Sequence, residues 1–170
     1  MDFHSYIRDI KDFPEPGVLF KDITPLLKDK NALNNAADVL FGMVKQYEVD
    51  KVVGVDSRGF IFAPILASKL NAGFVPVRKS GKLPYTTVSE SYALEYGNGS
   101  LEIHTDAIQK GERVLVHDDV LATGGTAEAV CKLIEKLGGK VVQCNFLIQL
   151  SFLNGAIKLK DHEITALLNY

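Results

Sequence analysis

The chain has 170 residues, 46% hydrophobic and 24% charged, the balance of one ordered globular domain with room for a core. A formal net charge of −2 removes the electrostatic case for nucleic acid or an anionic membrane, and no apolar run approaches the ~20 residues that span a bilayer. Cys131 and Cys144 lack Cys-x-x-Cys spacing and read as buried free thiols; with the charged, h-region-free start MDFHSYIRDIKDF they predict a cytoplasmic protein without a signal peptide.

The first stretch, with Phe13-Pro14, Pro16-Gly17 and LFKDITPLL (19–27), follows neither a helical nor a strand period. It is expected to form a small hood, about 1–30, on a single domain of 1–170. Residues 31–47 place Leu33, Ala36, Ala37, Leu40, Phe41 and Val44 on one helical face. KVVGV (51–55) reads as a buried strand that ends in Asp56-Ser57-Arg58-Gly59, and an apolar helix then runs to about Leu70. Pro64 kinks that helix if it lies past the first turn. Phe74 to Arg78 form another strand. Residues 79–100 hold few core residues and several Gly, Pro and hydroxyl side chains, a long excursion of the kind that is usually functional or mobile. Leu101 to Ile103 return as a strand. Arg113 to His117 form a strand, Thr126 to Leu137 a helix with Ala127, Val130, Cys131, Ile134 and Leu137 inward, and Lys140 to Leu150 a long apolar strand. Glu128 and Lys132 suit an i,i+4 pair, and Gly138-Gly139 stops the helix. Alternating strands and helices predict an α/β fold with parallel pairing, whose ligands collect at the carboxyl ends of strands.

The most informative run is VLVHDDVLATGGTA (114–127). A strand leads into two acids, then a loop of small and hydroxylated residues, then a helix. Backbone N–H groups of such a loop can converge on one anion, while Asp118 and Asp119 can hold hydroxyls or a metal. Together they suggest a sugar phosphate. There is no P-loop and no G-x-G-x-x-G after a strand. The bland alternative is a tight strand-to-helix connection with Thr126 as N-cap, which leaves the paired acids unexplained. Asp56 to Gly59 can equally be a turn with an exposed Arg, and Arg78, Lys79 and Lys82 a solvated basic cluster. His117 reads as a packed histidine, since no second His or Cys has metal spacing.

The acids and loop resemble the phosphoribosyl-pyrophosphate (PRPP) motif of the type I phosphoribosyltransferases, and DDVLATGGTA resembles the adenine-specific branch of that family. FPEPGVLFKDITPLL (13–27), GVDSRGFIFAP (54–64), VRKSGKLP (77–84) and SYALEYG (91–97) resemble it in order and spacing. The resemblance implies a central, mostly parallel sheet flanked by helices, with an N-terminal hood and a mobile lid at about 79–100. It implies that Asp118 and Asp119 hold the ribose hydroxyls, and that Ala122, Thr123, Gly124, Gly125 and Thr126 wrap the 5′-phosphate. Ser57 and Arg58, in a loop that often carries a non-proline cis peptide, would bind pyrophosphate with Arg78, Lys79 and Lys82, some of these contacts crossing a homodimer interface.

Similar hypoxanthine-guanine enzymes carry an acid at the position of Ala122. Alanine moves no proton, so the acid/base must lie elsewhere. The resemblance points to Glu95 on the lid, which from the residues alone is an exposed acid on a loop. Tyr96 would help close the site. Adenine would be read by backbone groups at Leu19 and Lys21 and sandwiched by Phe20 and Leu150. Lys21 stands where Arg is common, Gln149 where an acid sometimes stands, and His117 where apolar residues are commoner. The implied reaction is adenine plus PRPP giving AMP plus pyrophosphate, with Mg²⁺ held mainly by substrate and water and no dedicated protein metal site. The rivals are an enzyme for another purine and a non-catalytic PRPP sensor.

Overall fold

The computed structural model describes residues 1–93 and 98–170. The chain divides into two units, Met1–Val39 and Leu40–Tyr170.

In the first unit, β1 (Arg8–Lys11) and β2 (Leu19–Asp22) form an antiparallel ribbon. Arg8 stands opposite Asp22 and Asp9 opposite Lys21, and each pair closes as an ion pair at 2.6 Å. Opposite charges directly across a ribbon favour its register. This explains why a stretch without apolar periodicity is ordered. Asp22 also accepts from Thr24 N and Oγ1, each at 2.9 Å, which fixes the start of the short helix α1 (Thr24–Lys28). Helix α2 (Lys30–Val44) runs past the division at Val39; it buries Ala32, Ala36 and Ala37 before it and Leu40 and Val44 after it, with Leu33 and Phe41 half-buried. Asp29 Oδ1 accepts from the N–H groups of Asn31 and Ala32, so the helix begins one residue before the expected 31.

The second unit is built on a seven-stranded sheet. Its elements are β3 (Lys51–Val55), α3 (Gly59–Leu70), β4 (Gly73–Lys79), β5 (Thr87–Ala93), β6 (Asn98–His104), β7 (Arg113–Leu121), α4 (Gly125–Lys136), β8 (Lys140–Gln149) and β9 (Ile164–Asn169). The strand order is β5-β6-β4-β3-β7-β8-β9. From β4 to β9 the pairing is parallel, as alternating strands and helices require; β6 runs antiparallel to both β4 and β5. Pro64 lies beyond the first turn of α3, where it withholds one helical N–H, and its ring is exposed. The α4 face packs Ala127, Val130, Cys131 and Ile134 against Val53, Val116 and Cys144 of the sheet. Both thiols are buried and free, with Sγ atoms 3.6 Å apart.

Three features depart from the sequence-based expectation. The excursion over 79–100 is largely a hairpin of β5 and β6, paired from Thr87↔His104 to Ala93↔Asn98. It is an edge ribbon whose few inward residues include Val88 and Tyr92, so its polar alternation resembles a loop. Strand β9 and the 3-10 turns at Ser151–Leu153 and Gly155–Leu159 follow the last expected element. Strand β7 does not stop at His117: it runs through both acids to Leu121, because Asp119 and Leu121 are buried at 5% and 1% exposure.

Candidate active site

The sheet order creates the crevice. From β3 the chain leaves through α3 to β4 on one side, and from β7 through α4 to β8 on the other. The connections after adjacent β3 and β7 therefore diverge, and a gap opens at their carboxyl ends. Val55, Asp56, Ser57, Arg58, Lys79, Tyr92, Leu101, Asp118, Asp119 and Thr126 line a cleft there of about 270 Å³. A smaller depression of about 70 Å³ is lined by Asp118, Val120, Leu121, Ala122, Thr123, Gly124, Thr126 and Ala127.

Helix α4 starts at Gly125, with Gly124 as its N-cap at φ 80°. Thr126 thus lies inside the first turn, which overturns the N-cap reading of that residue. The reason is steric. A Cβ on Gly124 would lie 2.3 Å from the carbonyl oxygen of Gly155, and one on Gly155 would lie 2.1 Å from that of Ala122. The loop Ala122–Gly124 is seated on a second glycine, and only a left-handed glycine turns the chain there. Gly155 is a supporting residue that the reading of the loop alone missed; its one signal is Asn154-Gly155, a turn dipeptide. The first-turn N–H groups of α4 have no intrahelical acceptors, and Gly124, Thr126 and Ala127 line the smaller depression.

The paired acids differ. Asp118 Oδ1 accepts from Asp119 N at 2.8 Å and passes close to the start of α3, where a Cβ on Gly59 would come within 2.9 Å of it. Asp119 Oδ2 faces Arg58 Nε at 2.8 Å, yet among the described residues that oxygen has no hydrogen bond of acceptable geometry. Burial pushes both carboxyls above the usual range; for Asp118 the charge of Asp119 adds to the shift, and for Asp119 Arg58 opposes it. A half-buried and a buried acid beside one guanidinium are therefore placed to meet hydroxyl donors or a cation.

Across the cleft, Asp56 gathers the cations. Its Oδ2 lies 3.0 Å from Arg78 Nε and 3.6 Å from Lys82 Nζ, and Arg78 Nη1 donates to the Lys82 carbonyl at 3.2 Å. The Asp56–Ser57 peptide is cis. Lys79 is exposed and lines the cleft. Leu150, half-buried, follows β8 and donates its N–H to the Leu121 carbonyl at 2.9 Å.

Behind the acids lies a polar chain. His117 is fully buried, with Nδ1 3.0 Å from Asn145 Oδ1. Asn145 Nδ2 donates to Thr165 Oγ1, Thr165 Oγ1 to Gln143 Oε1, and Gln143 Nε2 to Glu163 Oε1, at 3.0–3.2 Å. Glu163 also accepts from the Tyr47 hydroxyl. Because the Asn145 amide group donates elsewhere, His117 carries its proton on Nδ1. Burial lowers its pKa to about 4, so it is a neutral packed histidine, as its isolation in the sequence implies.

Of the remaining expected residues, Leu19, Phe20 and Lys21 lie on β2 of the first unit. Leu19 is exposed, Phe20 packs edge-on against Phe13 at 5.1 Å, and the Lys21 ammonium is held by Asp9. Glu95 and Tyr96 fall outside the described residues. Asp118, Asp119, Thr126, Ser57, Arg58 and Lys79 share the cleft; Ala122, Thr123 and Gly124 line the depression beside it. Among the described residues no cluster of three or more His, Cys, Asp or Glu could hold a metal, and no helix is long and apolar enough to cross a membrane.

Fold and site together define an α/β protein with paired acids and a glycine turn at the carboxyl ends of adjacent parallel strands. Residues 22–165 match the phosphoribosyl transferase domain family. The adenine phosphoribosyltransferase of Christiangramia forsetii is 60% identical over 170 residues, covering 100% of this chain and 99% of its own length. That of Flavobacterium johnsoniae is 58% identical, covering 100% of both. The solved adenine phosphoribosyltransferase of Rhodothermus marinus superposes with a TM-score of 0.95 at 52% identity, over 99% of this chain and 96% of that one. The Saccharomyces cerevisiae enzyme, solved with an imino-altritol bisphosphate and adenine, gives 0.92 at 37% identity, over 98% and 97%. The chain belongs to the type I phosphoribosyltransferases and, within them, to the adenine phosphoribosyltransferase family.

Proposed function

We propose that this chain transfers the phosphoribosyl group of PRPP to adenine, giving AMP and pyrophosphate in purine salvage. The observation that carries the reading is the joint placement, around one cleft and the depression beside it, of the glycine loop before α4, the paired acids Asp118 and Asp119, and the Asp56–Arg58 turn. Full-length similarity to adenine phosphoribosyltransferases selects adenine among the purines.

In this reading residues 1–170 work as one domain. The 5′-phosphate takes the N–H groups of the Ala122–Thr126 loop with the Thr123 and Thr126 hydroxyls. Asp118 and Asp119 accept the ribose 2′- and 3′-hydroxyls. Ser57, Arg58, Arg78, Lys79 and Lys82 receive the pyrophosphate, with Arg58 and Lys79 offsetting the charge that develops as it leaves. The purine nitrogen bonds to the anomeric carbon, the bond to pyrophosphate breaks, and the proton released from the base ring passes to Glu95. Tyr96 orients the substrate on the same segment. Leu19, Phe20, Lys21 and Leu150 keep the adenine-binding role that the resemblance assigns them; with the Lys21 ammonium engaged by Asp9, base reading there falls to the backbone.

The hard carboxylate oxygens of Asp118 and Asp119, one of them without a hydrogen-bond partner among the described residues, suit Mg²⁺; PRPP and water would complete its shell. When bound, the ion neutralises pyrophosphate and ribose oxygens. A cytoplasmic homodimer completes the proposal.

A coupled assay with adenine, hypoxanthine, guanine and PRPP tests it. AMP from adenine is the expected outcome. PRPP binding without AMP formation would favour a sensor, and turnover of another base would move the substrate. Glu95→Ala should lose on the order of a hundredfold or more in kcat while still binding PRPP; unchanged turnover removes Glu95 from the mechanism.

A further inference from the structure

Tyr92 lines the cleft, and none of the roles above uses it. Its position is tightly determined. On β5 it shares a face with Val88 and Glu90; Val88 and Tyr92 pack on the core. Glu90 is ion-paired with Lys136 in the last turn of α4, and Lys136 Nζ also donates to the Ser89 carbonyl at 3.2 Å. The helix that begins at the phosphate loop thus grips the strand that carries Tyr92.

Directly opposite Tyr92 in register is Gly99. A Cβ there would lie 2.6, 2.7 and 2.8 Å from Cζ, Cε1 and the hydroxyl oxygen of Tyr92. The outer edge of the ring therefore occupies the space a side chain at position 99 would fill, an arrangement only glycine permits. The ring is held by packing, because among the described residues the Tyr92 hydroxyl has no hydrogen-bond partner. Tyr92 and Lys79 also line a neighbouring cavity of about 310 Å³ with Ser80, Gly99 and Ser100, so both residues stand at the seam between two spaces.

The chemistry of the cleft determines what the hydroxyl meets. Asp118 and Asp119 supply acceptors for sugar hydroxyls, whereas Lys79 and Arg58 supply cations for an anion. A phenolic O–H that lines the same cleft as the Lys79 ammonium matches an anionic oxygen, to which it can donate a charge-assisted hydrogen bond. We infer that the Tyr92 hydroxyl donates to the diphosphate of PRPP alongside Lys79, and that Gly99 is the residue that lets the ring reach it. The inference rests on the transferase reading.

Steady-state kinetics with adenine and PRPP, pyrophosphate inhibition and direct calorimetric binding of PRPP, each on wild type, Tyr92→Phe and Gly99→Ala, test it. Tyr92→Phe keeps the ring and should leave Tm, kcat and the KM for adenine unchanged. It should raise the KM for PRPP, the calorimetric Kd and the pyrophosphate inhibition constant together by roughly tenfold. Gly99→Ala displaces the ring and should weaken PRPP at least as much. An unchanged PRPP Kd in Tyr92→Phe overturns the inference, as does a weaker PRPP Kd with unaltered pyrophosphate inhibition. Wild-type binding of PRPP without AMP formation overturns the transferase reading alone; no PRPP binding by the wild type overturns both.

Discussion

On the β7–α4 side of the cleft, the loop before α4 offers backbone N–H groups, and the ionisable side chains nearest it, Asp118 and Asp119, are acids. On the β3–β4 side, Arg78 and Lys82 are tied to Asp56. In the proposed reading the first side would hold an anion largely through backbone geometry that the fold imposes, helped by the short Thr123 and Thr126 hydroxyls. The second would hold one through side-chain charge that already has a counterion, so a phosphate arriving there would have to exchange for Asp56. A site divided in this way would anchor one end of the proposed substrate firmly and leave the other, the leaving group, free to depart.

The largest effect should follow from disturbing the rigid side. Gly124→Ala puts a Cβ against the Gly155 carbonyl at a positive φ, and should lower kcat/KM on the order of a hundredfold and stability by roughly 2 kcal/mol. Kinetics and denaturant melts measure both; wild-type kcat/KM would remove the loop as anchor. Next comes Asp118→Asn. Burial and the charge of Asp119 raise the Asp118 pKa. The folded state then holds its proton more tightly than the unfolded chain, so stability falls as pH rises from the ordinary carboxylate range through the raised value. The amide removes that penalty. Its Tm should rise by about 2–4 °C at neutral pH and vary less with pH, while PRPP binding is lost. Melts across pH check this, and a lower Tm at neutral pH would refute it. The smallest effect should come from the β3–β4 side: Asp56→Asn releases Arg78 and Lys82 and should lower the KM for PRPP roughly two- to fivefold in low salt. A higher KM would show that Asp56 aims these cations rather than restraining them.

The same contrast governs what could be read in the sequence. Strands β3, β4 and β8 and helices α3 and α4 are apolar runs with a clear period, and the crevice follows from their alternation. The phosphate loop was legible because small residues before a helix have few other uses. Strand β7 was cut short at His117 because two acids resemble the start of a loop; burial beside Arg58 keeps them in the strand. The β1–β2 ribbon is ordered by charge pairs, which leave no periodic trace, and β5–β6 is an edge hairpin whose polar alternation resembles an excursion. Gly155 and Tyr92 reach the site only through tertiary packing, so their roles required coordinates.

The chain of donors from His117 to Glu163 has a further consequence. Each link points the same way, and its members come from β7, β8, β9 and the residue before β9, with Tyr47 closing the far end. Replacing one member by an apolar residue strands the donor on one side and the acceptor on the other. His117, Asn145, Thr165, Gln143 and Glu163 should therefore be inherited as a group: a homologue with an apolar residue at position 117 should also have changed its partners at 145 and 165.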